Sequence, residues 1–273
     1  MNTKAGIGLL LALWTSVAIA GVSTPAISII IDDLGYLLTT GLRVVALPGS
    51  IACSILPQTP YAAVLAKAAH RAGKDVMLHL PMESQDGTSL GPGGIRHTMT
   101  HVELIRIFQT DLAMIPYVVG VNNHMGSLLT RQPIAMAWLM EEIKHHHGLF
   151  FIDSRTTTAT IALKTAQSTG ITATRRDVFL DNNRTPAAIR MQFSRLVALA
   201  RIQGTAIGIG HPHPATLQIL EELLPRLATL GVALRPISET VARRSLAPAL
   251  LEEHNPYGPL PDIAGILKIR NKK

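Results

Sequence analysis

Two adjacent aspartates, Asp32 and Asp33, follow directly on the apolar run "SIII" at residues 28–31. Like charges that close do not both stay ionised without a partner. A metal ion is one such partner, and histidines at comparable positions would complete its ligand set. The chain carries them. "KDVMLHLPME" ends an apolar run near His79, and "VVGVNNHMGS" ends one near Asn122, Asn123 and His124. "GLFFIDSRT" ends in Asp153 with Arg155 beyond, "RDVFLDNN" in Asp181, and "GTAIGIGHPHP" in His211 with His213 beyond. Mixed imidazole and carboxylate donors suit zinc and similar divalent ions, and a catalytic site takes three of them plus water. Each residue also has a structural reading. Asp153, Asp181 and the Asp32–Asp33 pair could cap helices, and Asn122 and Asn123 could be turn residues. What favours chemistry is that all of them stand at the ends of apolar runs.

The elements that must position these residues are legible in outline. Strand candidates are Ala26–Ile31, Ser50–Ile55, Lys74–Leu80, Tyr117–Asn123, Leu149–Ile152, Val178–Leu180, Thr205–Gly210 and Val232–Arg235. Helical stretches lie between them. "PYAAVLAKAAHRAG" closes on Gly73, and "THVELIRIFQTDLAMI" opens with Thr100 and Glu103 at capping-box spacing. "TPAAIRMQFSRLVALARIQG" has Thr185 as N-cap, Pro186 at the first helical position and Gly204 past the end, and "HPATLQILEELLPRLATLG" runs from Pro214 to Gly231. Strand followed by helix, repeated, implies a parallel sheet with helices outside. Seven or eight such units predict an α/β fold with a closed or nearly closed barrel, and an open doubly wound sheet is the other solution. In a barrel the C-terminal strand ends share one face, so the scattered polar residues converge there. The Gly- and Pro-rich insert "PMESQDGTSLGPGGIRHTM" is expected to be a long loop over the barrel mouth.

Composition limits the alternatives. Apolar residues make up 47% of the 273 residues and charged residues 16%, which supports a sizeable core and excludes a disordered chain. The net charge of +7 is scattered rather than clustered, and aromatics are only 4%, so a nucleic-acid partner is not expected. Attraction to anionic envelope polymers or lipid surfaces accounts for the charge better. The leader "MNTKAGIGLLLALWTSVAIAG" has Lys4, an apolar run over residues 5–20 and the small-x-small end Ala18-Ile19-Ala20. It predicts a signal peptide over residues 1–20 cut after Ala20, and hence a periplasmic or secreted protein; an uncleaved anchor over 5–20 is the alternative. Cys53 stands alone in an apolar strand, so no internal disulfide can form and the thiol is expected to be inert and buried. The barrel domain is expected over residues 24–242, with a Pro-rich basic tail over 243–273.

The motifs "IIIDDLG", "LHLPME", "GVNNHMGS", "FFIDSRT", "VFLDN" and "IGHPHP", in that order, resemble the divergent polysaccharide deacetylase family, distant relatives of the NodB-type carbohydrate deacetylases. The resemblance spans about Ala26 to Thr240. It implies a distorted (β/α) barrel of about seven parallel strands and a divalent metal, most commonly zinc, held by Asp33, His79 and His124. It implies Asp32 as catalytic base, His211 as the group assisting departure of the leaving group, and Asp153 as a third catalytic residue, with Arg155, tuning the base or orienting the substrate. Asn123, Arg155, Asp181 and His213 are the implied substrate-binding residues. "HTMTH" at 97–101 matches the letters of the NodB-type His-Ser/Thr-x-x-His motif but follows a flexible Pro-Gly-Gly loop, and its Thr100 already reads as a helix cap. The NodB-type Arg-Pro-Pro-Tyr-like motif is absent, and "NNHMGS" stands in its place. The "HHH" at 145–147 reads as the C-terminal turn of a helix rather than a metal tract.

The activity implied is metal-dependent removal of acetyl groups from an envelope or extracellular polysaccharide, with a peptidoglycan-like glycan as partner and peripheral association with the envelope. The alternative is a catalytically weak or inactive glycan-binding protein of the same fold. A third reading is a different metal hydrolase on a similar barrel, such as an amidase of peptide crosslinks.

Overall fold

The computed structural model describes residues 24–246. The leader over 1–20, and the expected tail from 247 onward, lie outside the described residues. The described residues form nine strands and eight α-helices, alternating except where β7 follows β6 directly: β1 (Ala26–Leu34), α1 (Leu38–Val45), β2 (Ala52–Ile55), α2 (Ala62–Arg71), β3 (Val76–Met82), α3 (His101–Met114), β4 (Val118–Met125), α4 (Pro133–His145), β5 (Phe150–Asp153), α5 (Ala162–Thr169), β6 (Ala173–Arg175), β7 (Val178–Phe179), α6 (Pro186–Gln203), β8 (Thr205–Gly210), α7 (Pro214–Leu223), β9 (Ala233–Leu234) and α8 (Ile237–Leu246). Every strand pair is parallel, in the order β6-β5-β4-β3-β2-β1-β8-β7, with β9 beside the start of β1. The sheet curls into an open half-barrel. β6 and β7 stand at its two edges although only Arg176 and Asp177 separate them in sequence.

The period-2 alternation of the strands sorts side chains to two cores. In β1, Ile27, Ile29 and Ile31 pack outward under the helices, while Ile30 joins Ala52, Met77, Phe150, Ile152, Ile207 and Ile209 inside the curl. Both faces are apolar because helices cover the outside and the barrel fills its own interior. α8 closes the interior from the N-terminal end. Its Ile237 and Val241 complete the inner core, and Thr240 shares a 2.7 Å hydrogen bond with Ser28 of β1.

The expected caps are present. Thr100 and Glu103 form a reciprocal capping box on α3, and the Thr185 hydroxyl accepts from Ala188 N on α6. Cys53 is buried, and burial pushes its thiol up to about 12. Four elements were not anticipated. α1 is eight residues interrupted by Gly41, which is needed because a Cβ there would lie 2.4 Å from Leu65. α5 and the three-residue β6 are too short for a clear period. α8 runs on to Leu246, past the expected domain end at 242, since Arg244 is tied to Asp177 at 2.6 Å and to Thr205 and Thr174. No helix among the described residues is long and apolar enough to cross a membrane.

Candidate metal centre

Adjacent residues of a regular strand point to opposite faces, so Asp32 and Asp33 could not both reach one site without a local irregularity. β1 supplies it. Its pairing with β2 runs Ile31 to Cys53 and then Leu34 to Ile55, which inserts one extra residue at the two aspartates. Asp33 takes a left-handed backbone conformation with φ 59°, and Met125 (φ 53°) and Arg155 (φ 51°) do the same at or just past the ends of β4 and β5. Non-glycine residues in this region are uncommon and strained, and their concentration at one end of the barrel marks a site where geometry outweighs local comfort.

Three donors converge there. His124 Nδ1 lies 2.8 Å and His79 Nε2 3.2 Å from Asp33 Oδ1, and the two imidazole nitrogens are 3.2 Å apart. Neither approach to Asp33 has hydrogen-bond geometry. Oδ1 is buried without a hydrogen-bond partner, although a buried carboxylate oxygen ordinarily has one. Donors around a tetrahedral zinc ion, bonded at about 2.0–2.1 Å, stand about 3.3 Å apart. The spacing, the donor types and the orphaned oxygen therefore fit a divalent cation. Burial alone would raise the Asp33 carboxyl, but His124 and His79 outweigh it and hold the group far below the usual carboxylate range.

Asn122, at the centre of the inner face, orients the set. Its Oδ1 accepts from the Ser54 hydroxyl at 2.6 Å and faces His79 Nδ1 at 3.0 Å, while its Nδ2 donates to Asp32 Oδ1 at 2.9 Å and to Ser154 Oγ at 3.3 Å. With Oδ1 as acceptor, the proton of neutral His79 is assigned to Nδ1, which leaves Nε2 free to ligate. One amide thus fixes both the His79 tautomer and the position of Asp32.

His211 approaches from the opposite side, with Nε2 3.8 Å from Asp33 Oδ2. Its Nδ1 pairs with Asp181 Oδ1 at 3.0 Å, and Asp181 Oδ2 accepts from His211 N and the Thr216 hydroxyl. Burial lowers the His211 imidazole, but the Asp181 hydrogen bond and the charges of Asp32, Asp181 and Asp33 together raise it to about 8. Donor atoms of Asp181, His211 and His213 also lie within 4.8 Å of one another. There, however, both Asp181 oxygens are already engaged, so the group reads as an orienting chain rather than an ion cage. His213 is the N-cap residue of α7, its ring centroid 5.7 Å from that of His211.

Strand parity separates the remaining expected residues from the site. Asp153 follows the inward Ile152 and therefore faces outward; its oxygens accept from Arg155 N at 2.8 Å and the Thr160 hydroxyl at 2.9 Å. It makes no contact with Asp32, and the place expected for it beside the base is held by Asn122. Arg155 stands with it, beyond the strand end. Asn123 is likewise turned outward and buried, its amide donating to Met125 O and accepting from Ser154 N, which ties the ends of β4 and β5 together. His97 pairs with Glu83 at 2.7 Å and His101 opens α3 against Trp138, both away from the three donors. His145 and His146 pair with Glu142 at the end of α4.

Above the centre, the insert after β3 folds over the mouth, held by the Met82–Ile95 bridge. A cavity of about 340 Å³ opens beside Asp33 and His124, walled by Tyr36, Leu56, Leu90 and Pro92. Neither Tyr36 nor Leu90 was singled out from sequence; the exposure of Tyr36, 52%, becomes meaningful only beside the cavity.

Comparison with known proteins agrees with this construction. The profile of the family described as "Divergent polysaccharide deacetylase" matches residues 29–241. The uncharacterized protein YibQ of Escherichia coli (strain K12) is 38% identical over 214 residues, 77% of this chain and 67% of its own. The crystal structure of the uncharacterized protein ATU2773 from Agrobacterium tumefaciens C58 superimposes with a TM-score of 0.77 at 21% identity, covering 84% of this chain and 92% of that one. Wild-type BA3943 from Bacillus anthracis, described as a CE4 family pseudoenzyme, has the same general fold with a TM-score of 0.50 at 14% identity, over 80% of this chain and 66% of its own.

Proposed function

The chain belongs to the divergent polysaccharide deacetylase family, and from that premise and the geometry of the centre we propose that it is a zinc-dependent hydrolase removing acetyl groups from an envelope glycan. The observation that carries the reading is the Asp33, His79, His124 cluster with its orphaned buried oxygen. A divalent ion there would act as a Lewis acid on the acetyl carbonyl and lower the pKa of a water.

The protein side chains then divide the proton work. Asp32, adjacent to the centre and fixed by Asn122, accepts the proton of the attacking water. His211 carries a proton on Nε2 while Asp181 holds Nδ1, and donates it to the departing amine or alcohol. The 340 Å³ cavity accommodates an acetyl group and part of a sugar ring, and Tyr36 offers an aromatic face to the sugar. A peptidoglycan-like glycan, met outside the cytoplasm, is the partner this reading calls for.

One observation favours a second reading, a catalytically weak glycan-binding protein. Asp153, expected to tune the base, faces away from it. Acetate release by the zinc-loaded chain from N- and O-acetylated glycans separates the two. The hydrolase reading predicts release that Asp32→Asn abolishes while metal is retained. Absence of acetate across the panel, with glycan still bound, would establish the second.

A further inference from the structure

A large cleft lies away from the metal centre. It has a volume of about 950 Å³ and follows the outside of the seam where the sheet fails to close, between α5, β6, α6 and α8. Five of its lining residues are basic: Arg155, Lys164, Arg175, Arg195 and Arg244. Its two carboxylates are already engaged. Asp177 accepts from Arg244 at 2.6 Å and from Ile207 N at 2.7 Å, and Asp153 accepts from Arg155 N and Thr160. Arg244 spends four of its five N–H donors on Asp177, Thr174 and Thr205. Lys164, Arg175 and Arg195 have no ion pair with any carboxylate among the described residues. The Nε of Arg195 is shielded from solvent and has no hydrogen-bond partner. Leaving a charged donor buried and unpaired is costly, and protein structures rarely keep one without a ligand or water to receive it.

Three uncompensated cations in one concave cleft, two of them guanidinium forks, are the chemistry that receives phosphate. We propose that the seam groove is a binding site for a phosphate-bearing ligand, separate from the metal centre. A cleft of this size admits a small anion or the phosphorylated end of a sugar.

Titration calorimetry on the full, metal-free chain with inorganic pyrophosphate, and in parallel with glucose 1-phosphate, tests the site. Pyrophosphate is expected to bind with one-to-one stoichiometry, more weakly at high salt. Arg175→Gln and Arg195→Gln should each weaken it about tenfold, with Arg175→Lys between wild type and Arg175→Gln. Thermal melts check that the variants fold. His124→Ala, which alters only the metal centre, should leave the affinity unchanged. Tighter binding of glucose 1-phosphate than of pyrophosphate would identify a sugar phosphate as the ligand class, and the reverse a bare anion. No binding to the wild-type chain, or binding lost in His124→Ala and kept in both arginine variants, overturns the assignment.

Discussion

Replacing Asp181 by Asn removes the anion behind His211 while keeping the side chain's size. In the structure Asp181 meets His211 Nδ1 at 3.0 Å and is the first of the groups that raise the imidazole to about 8. A histidine at its ordinary value of about 6.5 is about one-quarter protonated at pH 7, whereas one at about 8 is about nine-tenths protonated. The difference between the two corresponds to about 2 kcal/mol. Its sign follows from linkage. A raised histidine stabilises the fold fully below pH 6.5, and that stabilisation is lost as pH rises through about 8. Asp32 and Asp33 supply part of the shift, so Asp181→Asn is expected to remove up to about 2 kcal/mol more stability at pH 6 than at pH 9. Two assays read this on metal-free protein: an NMR titration of the His211 imidazole, and denaturant unfolding at the two pH values. The imidazole should titrate near 8 in the wild type and move toward 6.5 in the variant. An unchanged titration, or a destabilisation equal at both pH values, would refute the assignment of Asp181 as the group that keeps His211 charged.

Asp33→Asn should lose bound metal, while Asp32→Asn should keep it and lose turnover, as read by metal analysis and acetate release. Asn122→Ala frees both His79 and Asp32, and metal affinity should fall about 10–100-fold in a competition titration. Asp111, fully buried beneath Gly93 with one oxygen unpartnered, is raised by burial to about 6. Its protonated form favours the fold below pH 3.8, and that benefit of about 3 kcal/mol disappears as pH rises through 6; Asp111→Asn should flatten this dependence in unfolding measurements. Gly93→Ala places a Cβ 2.5 Å from the Asp111 carboxylate at φ 76° and should destabilise the mouth loop, seen as faster amide exchange over residues 84–95.

The strand-and-helix alternation, the parallel sheet and the residues at the strand ends were readable because each rests on local pattern. The isoleucine run of β1, the capping box at Thr100 and the glycines after α2 and α6 all announce themselves in a few residues. Parity at the strand ends was not readable. In sequence Asp153 stands at a strand end as Asp32 does, and Asn123 beside Asn122, yet the side chains of Asp153 and Asn123 are turned outward. The bulge that brings Asp32 and Asp33 to the same face depends on pairing with β2, which no local pattern records. Asn122 passed for a turn residue for the same reason: its role exists only once Ser54, His79, Asp32 and Ser154 surround it. The seam groove is the product of an unclosed sheet, and nothing in the residues between β6 and β7 announces that they will not pair.

The proposed chemistry requires a cation held by Asp33, His79 and His124. Anomalous diffraction at the zinc edge from crystals of the zinc-soaked protein tests it directly. A single strong peak about 2.0–2.2 Å from Asp33 Oδ1, His79 Nε2 and His124 Nδ1 is the predicted result. A peak between His97 and His101, or none at the three donors under saturating zinc, would contradict it.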